Sequence, residues 1–277
     1  MAQNEIKKVG VVGAGTMGSG IAQLFALYDY AVVLVDTDDS ALGQALVNIR
    51  AHTDPHLWEQ VEGRIRTSTA LEDVREADLV IETVFEDPEV KKEILRKLSR
   101  ICSRSAIIAT NTSSISINEL SQAVFGPSRF IGMHFMNPPK VIKLIEIVKG
   151  KKTSEETVSA VGWLAREMEK EPIVINDTPG FVSNRLLFAL IGEAIRLLDS
   201  GVATKEDIDA VMKYGVQHPM GPFELADFIG LDIALSVMKY LYGELKDEKY
   251  KPSPTIEKLV KEGKLGRKTR EGFFKYG

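Results

Sequence analysis

A glycine-rich turn near the start of the chain limits the fold more than any other feature. The apolar run at 9–12 leads into Gly13, Gly15 and Gly18, and residues 19–28 then have the pattern of a helix. Gly13 permits a tight turn, Gly15 lets the backbone approach a pyrophosphate, and Gly18 lets the helix pack closely on the strand. The phosphates would lie at the helix N-terminus, where unpaired N–H groups favour anions. This pattern predicts a dinucleotide site, although such a turn alone is weak evidence.

A second apolar run strengthens the prediction. Residues 31–35 have the pattern of a strand that ends in Asp36. A carboxylate at this point can accept hydrogen bonds from ribose hydroxyls and would repel a 2′-phosphate, so the sequence favours NAD over NADP. The alternative is a strand–helix–strand unit that binds no nucleotide.

Strand and helix patterns alternate through the first two-thirds of the chain, as a doubly wound parallel sheet requires. Further strands are predicted at 78–84, 106–109, 130–135, 143–149 and 172–175. From Phe181 onward, apolar residues recur at helical spacing. We therefore predict an α/β fold with a Rossmann-type, doubly wound, mostly parallel sheet at 1–178, followed by an all-helical C-terminal domain at 179–277.

Composition argues against several classes of function. The 277-residue chain has a net charge of −4, so its overall charge gives no support to nucleic-acid binding. Its apolar runs are too short to span a bilayer, and we expect no secretion signal because residues 1–8 lead straight into a strand. Cys102 is the one cysteine, which fits a reducing compartment and a structural role. We expect a cytoplasmic protein that binds neither membrane nor nucleic acid.

Four histidines are candidates for proton exchange near neutral pH. His52 and His56 lie in a polar connection where we expect them to be solvated, and His218 precedes a proline in a turn. His134 instead lies at the end of a predicted strand, just before 137–139. Open α/β sheets place their binding sites at such strand ends, so His134 is the candidate base.

Glu146 lies among apolar neighbours in the next predicted strand, where an unpaired carboxylate would be costly. A short reversal through Pro138 and Pro139 could pair the two strands and bring Glu146 beside His134. The carboxylate would fix the tautomer of the imidazole, whose other nitrogen could accept a proton from a substrate hydroxyl. The alternative is a buried hydrogen bond that only ties two strands together.

A hydride acceptor beside such a base predicts interconversion of an alcohol and a ketone, because the base removes the hydroxyl proton as hydride leaves the same carbon. The substrate oxygen also needs hydrogen-bonding groups. Ser113, in the loop after a strand, and Asn184, in the first turn of a long helix, are candidates. The sequence pattern around Ser113 and Asn184 alone predicts ordinary capping and turn roles for both residues.

Six motifs, in this order, resemble those of the 3-hydroxyacyl-CoA dehydrogenase family, and most closely those of its short bacterial 3-hydroxybutyryl-CoA members. The likeness runs nearly from end to end of the chain. The motifs are Gly13-Ala14-Gly15-Thr16-Met17-Gly18, Thr110-Asn111-Thr112-Ser113-Ser114, Met133-His134-Phe135-Met136-Asn137-Pro138, residues 177–185, residues 219–225 and Gly266-Arg267-Lys268-Thr269.

The resemblance implies that His134 is the general base, that Glu146 orients it, and that Ser113 and Asn184 hold the substrate oxygen and the base. Pattern alone would make Glu86 a loop acid and Lys91 a solvated lysine, whereas the family pattern puts both beside the nicotinamide. The implied cofactor contacts are Gly13, Gly15, Thr16, Met17, Gly18, Asp36, Glu86, Lys91, Asn111, Ser113 and His134.

The implied reaction is the reversible oxidation of an (S)-3-hydroxyacyl-CoA to the 3-oxoacyl-CoA with NAD, without a metal. The resemblance also implies a homodimer formed through the helical domain. The alternatives are a dehydrogenase for a free hydroxy acid or sugar acid, and an inactive nucleotide-binding protein.

One segment departs from the family pattern. Relatives usually carry a lysine-rich helix and loop after the second strand, part of which meets the CoA nucleotide. Here residues 36–64 contain six acids and two arginines. Lys140 or Lys143 could hold the CoA phosphates instead.

Overall fold

The structure is a computed structural model that describes residues 6–277, and it has the predicted α/β architecture. The strands are β1 (Lys8–Val12), β2 (Ala31–Val35), β3 (Ile65–Ser68), β4 (Leu79–Glu82), β5 (Ile107–Thr110), β6 (Phe130–Phe135), β7 (Leu144–Lys149) and β8 (Glu171–Asn176). They form one sheet in the order β3-β2-β1-β4-β5-β6-β7-β8. The first six strands run parallel, β7 is antiparallel to β6, and β8 is parallel to β7. The prediction of a mostly parallel, doubly wound sheet is therefore confirmed.

The α-helices of the first part of the chain lie between these strands. They are α1 (Thr16–Leu27), α2 (Asp39–Ala51), α3 (Trp58–Glu62), α4 (Pro88–Ile101), α5 (Ile117–Leu120) and α6 (Glu155–Glu167). The later part is helical, as predicted. Its helices are α7 (Ser183–Asp199), α8 (Lys205–Ala210), α9 (Pro222–Ile229), α10 (Leu231–Leu245) and α11 (Pro254–Lys261), with a π-helical turn at Val211–Gly215.

Polar side chains cap the starts of several helices. The Asp87 carboxylate accepts hydrogen bonds from the backbone N–H groups of Glu89 and Val90, and Pro88 is the first residue of α4. Ser154, Thr204 and Ser253 cap α6, α8 and α11 with their side chains. These caps satisfy N–H groups that have no partner inside the helix, and so each fixes where a helix begins.

The sequence does not predict the strand β3, since the strand expected after 31–35 is the one at 78–84. Its residues Ile65, Arg66, Thr67 and Ser68 are all partly or fully exposed. Because β3 is the edge strand of the sheet, it lacks the buried apolar run that identifies the central strands.

The order of the strands determines where a ligand can bind. The chain moves outward from β1 through β2 to β3, then returns to β4 on the other side of β1. Ligands of open α/β sheets bind at the carboxyl ends of the strands beside such a reversal. Here that point lies between β1 and β4.

The contacts divide the chain into two compact units, of which the first ends at Thr178 and the second is Pro179–Gly277. Across the described residues, every helix is too short or too polar to cross a membrane. Cys102 is 9% exposed, and burial raises the pKa of its thiol to about 11, which suits a structural residue. The expectation about a secretion signal concerns residues 1–8, of which residues 1–5 lie outside the described part.

Candidate active site

The glycine turn has the backbone that a dinucleotide requires. Gly13 has a φ of +109°, and a Cβ there would lie 2.8 Å from the carbonyl carbon of Thr83. A Cβ on Gly18 would overlap the carbonyl oxygen of Gly13, so strand and helix need glycine at both positions. A Cβ on Gly15 would instead point into open space at the start of α1. The turn therefore leaves room for a pyrophosphate beside the helix N-terminus, which fits a dinucleotide.

Asp36 follows β2 at the same edge of the sheet. Its Oδ2 accepts a hydrogen bond of 2.7 Å from the backbone N–H of Ala14, and its Oδ1 accepts one of 3.1 Å from the backbone N–H of Asp38. The glycine turn therefore fixes the carboxylate in position. Asp36, Gly13 and Gly15 line a cavity of about 940 Å³, a volume at the upper end of small-molecule sites.

His134 and Glu146 meet as predicted. The two residues are directly paired between the antiparallel strands β6 and β7, and His134 Nδ1 lies 2.8 Å from Glu146 Oε2. They are 7% and 2% exposed. The reversal between the strands thus provides the buried carboxylate with a partner, as its cost of burial requires.

The residues that follow His134 are anchored from two sides. The Asn111 side-chain oxygen accepts a hydrogen bond of 2.9 Å from the backbone N–H of Phe135. Lys170 is 5% exposed, and its ammonium donates to the carbonyl oxygens of Pro139, Lys140 and Ile142 at 2.6–3.2 Å. These contacts fix the strand end and the loop that connects the base to Glu146.

Lys91 is not the solvated lysine that its pattern suggested. It is 1% exposed, and its Nζ lies 2.8 Å from Glu82 Oε1 and 3.2 Å from Glu86 Oε2. The prediction of a solvated lysine was wrong because the aliphatic part of the Lys91 side chain is buried, and its ammonium contacts Glu82 at the end of β4. The structure therefore joins Glu86 and Lys91 in one ion pair.

Glu82 was missed, although a signal for it exists. It ends a strand whose other residues are Leu79, Val80 and Ile81, and it is fully buried. A carboxylate inside an apolar strand needs a partner. This rule identified Glu146, and it applies equally to Glu82.

Glu86 organises the loop that carries Ser113. Its Oε1 accepts hydrogen bonds from Thr112 Oγ1 at 2.6 Å, from the backbone N–H of Ser113 at 2.9 Å, and from Ser114 Oγ at 3.2 Å. Burial raises the pKa of Glu86, but the charge of Lys91 and these hydrogen bonds outweigh it and lower the pKa overall. Glu86 is therefore a carboxylate that ties the end of β4 to the loop after β5.

Models of known protein families match both units. The model of the 3-hydroxyacyl-CoA dehydrogenase NAD-binding domain matches residues 8–178, and that of the C-terminal domain of the same enzymes matches 180–276. The chain belongs to the 3-hydroxyacyl-CoA dehydrogenase family. It is therefore an oxidoreductase with NAD as its cofactor.

Individual members of the 3-hydroxyacyl-CoA dehydrogenase family are similar over nearly their whole length. A probable 3-hydroxybutyryl-CoA dehydrogenase of Bacillus subtilis is 46% identical, over 98% of this chain and 98% of that protein. A 3-hydroxybutyryl-CoA dehydrogenase of Clostridioides difficile is 40% identical, over 97% of this chain and 99% of that protein. The crystal structure of (S)-3-hydroxybutyryl-CoA dehydrogenase from Ralstonia eutropha has a TM-score of 0.93 at 41% identity, over 99% of this chain and 100% of that one.

The remaining predicted site residues have the following places. Asn184 is half-buried in the first turn of α7, in the second unit. Lys140 and Lys143 are exposed, and Lys140 Nζ donates to the carbonyl oxygen of His52 at 2.5 Å. Thr16 and Met17 are the first two residues of α1. The roles of these residues in binding the cofactor or the substrate remain predictions.

Proposed function

We propose that the protein catalyses the reversible oxidation of (S)-3-hydroxybutyryl-CoA to acetoacetyl-CoA with NAD, and that His134 is the general base. The buried contact between His134 Nδ1 and Glu146 Oε2 carries the proposal. It supplies an oriented base at the carboxyl edge of the sheet, the edge that also carries the glycine turn. The relatives named above support the substrate.

Glu146 determines which nitrogen of His134 reacts. A carboxylate beside Nδ1 favours the tautomer in which Nδ1 carries the proton, so Nε2 is the atom that accepts the hydroxyl proton of the substrate. The same carboxylate stabilises the imidazolium formed by that transfer. In the reverse direction, Nε2 returns the proton to the oxygen of the ketone.

NAD, when bound, supplies the acceptor for the hydride that leaves the substrate carbon. The glycine turn, with Thr16 and Met17, would hold the pyrophosphate, and Asp36 would accept hydrogen bonds from the ribose hydroxyls. Glu86 and Lys91 would lie beside the nicotinamide, and Asn111, with Ser113 and His134, would complete that end of the site.

Ser113 and Asn184 would be the residues that hold the substrate oxygen and the base, as the family pattern implies. Lys140 and Lys143 would bind the CoA phosphates, because they are exposed and close in sequence to His134. Their positive charge would replace that of the lysine-rich segment that the chain lacks.

We also propose that the enzyme is a cytoplasmic homodimer that associates through its helical unit. Large apolar side chains on that unit are exposed, including Leu186 at 69%, Val211 at 63% and Tyr214 at 83%. Exposed apolar groups of this kind favour a protein partner. Sedimentation equilibrium would test the dimer, and a monomer at micromolar concentration would contradict it.

The experiment that tests the reaction follows NADH oxidation by the purified protein with acetoacetyl-CoA, beside free acetoacetate and beside NADPH. We expect turnover with the thioester and NADH, and much slower turnover in the other two reactions. Turnover with the free acid would indicate a hydroxy-acid dehydrogenase instead. No turnover with either substrate, despite NAD binding, would indicate an inactive nucleotide-binding protein.

A further inference from the structure

Glu82 is a buried acid to which the proposed reaction assigns no task. It is 0% exposed and lies at the end of β4, next to the reversal point of the sheet. A carboxylate in such a place is costly to bury, so its partners indicate what it does.

The partners of Glu82 are three hydrogen-bond donors. Oε1 accepts from Lys91 Nζ at 2.8 Å and from the backbone N–H of Val84 at 2.7 Å, and Oε2 accepts from Thr110 Oγ1 at 2.7 Å. Thr110 Oγ1 itself accepts a hydrogen bond from the N–H of Thr112, which leaves its own proton for Glu82. Burial is the largest effect and raises the pKa of Glu82 overall, although Lys91 and these hydrogen bonds oppose the rise. The three donors directed at its two oxygens nevertheless give the geometry of an ionised carboxylate.

Glu82, Lys91 and Glu86 form a cluster, the β4 triad, that contains two carboxylates and one ammonium. Lys91 bridges the two acids, with Nζ 2.8 Å from one and 3.2 Å from the other. The side chain of Glu86 is 38% exposed, whereas those of Glu82 and Lys91 are almost fully buried. The triad thus carries one net negative charge and reaches the surface at Glu86.

We propose that Glu82 is a positioning residue of the cofactor site, which holds Lys91 against Glu86 and gives the β4 triad its net negative charge, so that NAD⁺ is favoured over NADH. This inference rests on the proposed function, in which Glu86 and Lys91 lie beside the nicotinamide. The oxidised nicotinamide ring carries a positive charge and the reduced ring is neutral. A net charge nearby therefore changes the affinity for NAD⁺ and leaves that for NADH almost unchanged.

Without Glu82, the Lys91–Glu86 pair would be neutral as a whole. The affinity for the oxidised relative to the reduced cofactor would then fall by about tenfold, the size of effect expected for the loss of one charge near the ring in a medium of intermediate dielectric constant. Lys91 would also lose its shortest ion-pair partner.

The test measures the dissociation constants of NAD⁺ and NADH for the intact protein without any acyl substrate. In Glu82→Gln, which keeps the size of the side chain, we expect the ratio of the NADH constant to the NAD⁺ constant to fall about tenfold. Glu82→Asp keeps the charge and is expected to restore most of the ratio. Thr110→Ser is the matched control, because it changes packing at the same carboxylate but keeps its hydroxyl donor and all three charges.

Two further variants test the charge of the triad, and the first of them keeps the proposal testable if Glu82→Gln does not fold. Glu86→Gln removes one charge of the triad at a partly exposed position, so it must lower the ratio as well. Glu82→Gln combined with Lys91→Met leaves only the charge of Glu86, so its ratio is expected to return towards that of the unmodified protein.

Two results would overturn the proposal. An unchanged ratio in Glu82→Gln, with both dissociation constants unaffected or raised by the same factor, would make Glu82 merely structural. An unchanged ratio in Glu86→Gln would show that the charge of the triad does not act on the cofactor. The proposed function fails in a different way, since it requires that the unmodified protein bind both nucleotides and turn over the thioester. A failure of turnover alone would leave the effect of Glu82 on the two binding constants intact.

Discussion

His134 Nδ1 and Glu146 Oε2 lie 2.8 Å apart across a directly paired position of two antiparallel strands. Backbone hydrogen bonds of the sheet therefore fix the Cα atoms of both residues, and the contact does not depend on a mobile loop. Because both residues are almost fully buried, little water competes for the contact. This rigidity is what distinguishes an oriented base from a surface histidine.

The first prediction concerns this pair. We expect Glu146→Gln and His134→Ala each to lower kcat by about 10²–10⁴-fold, the usual contribution of a general base, while NAD still binds. Steady-state kinetics combined with NAD titration would measure the two effects separately. His52→Ala is the control, because His52 is exposed and lies outside the pair. Normal turnover in His134→Ala would refute the mechanism.

The second prediction concerns Asp36. In Asp36→Ala, the ribose loses an acceptor and a 2′-phosphate no longer meets a fixed negative charge, so we expect discrimination against NADP to fall by about tenfold or more. The measurement is the ratio of kcat/KM values for NAD and NADP. Asp39→Ala removes an exposed carboxylate three residues further on and is expected to leave the ratio unchanged. An unchanged ratio in Asp36→Ala would contradict the assignment.

The third prediction concerns the CoA phosphates. We expect the double substitution of Lys140 and Lys143 by alanine to raise KM for acetoacetyl-CoA several-fold without a matching loss of kcat, because the lysines would bind a part of the substrate that does not react. The control is the double alanine substitution of Lys151 and Lys152, an exposed pair of the same charge. If KM is the same in both variants, the CoA phosphates are held elsewhere.

Much of the first unit could be predicted because each signal was local in the sequence. The glycines of the turn are required by backbone geometry, and Glu146 had to be paired because it lies among apolar residues. The same reasoning, applied to Glu82, would have shown that this carboxylate also needs a partner, although not that the partner is Lys91.

What could not be predicted depends on contacts between residues distant in sequence. Lys91 has the pattern of a solvated lysine, and only the fold brings its ammonium to the end of β4. Asn111 reaches the N–H of Phe135, and Lys170 reaches three carbonyl oxygens of the loop after His134. No periodicity in the sequence encodes such contacts.

The last prediction concerns the C-terminal residues, which are fastened to α9 by Asp227. This residue is 1% exposed, and its carboxylate accepts hydrogen bonds of 2.8–2.9 Å from the backbone N–H groups of Phe273 and Phe274 and from the hydroxyl of Tyr276. Burial, the hydrogen bond to Asp227 and the charge of Asp227 raise the pKa of Tyr276 to about 12 from an ordinary value of 10.0.

A pKa raised by folding means that the protonated form stabilises the folded protein. The contribution of Tyr276 is therefore fully present below pH 10 and is lost as the pH rises towards 12. We expect Tyr276→Phe to lower the free energy of unfolding by about 1 kcal/mol at neutral pH, the usual value for one hydrogen bond, and to remove this part of the alkaline loss.

Urea unfolding between pH 8 and 12 would measure the difference in the free energy of unfolding between the unmodified protein and Tyr276→Phe. The difference is needed because folding also raises the pKa of Tyr28, Tyr30 and Tyr242, which adds to the alkaline loss in both proteins. Tyr242→Phe is the matched control, since its hydroxyl donates to Glu248 at an exposed position, where we expect a smaller effect. If the free energy of unfolding is the same in Tyr276→Phe and in the unmodified protein at every pH up to 12, Asp227 holds the C-terminal residues through the two backbone N–H groups alone.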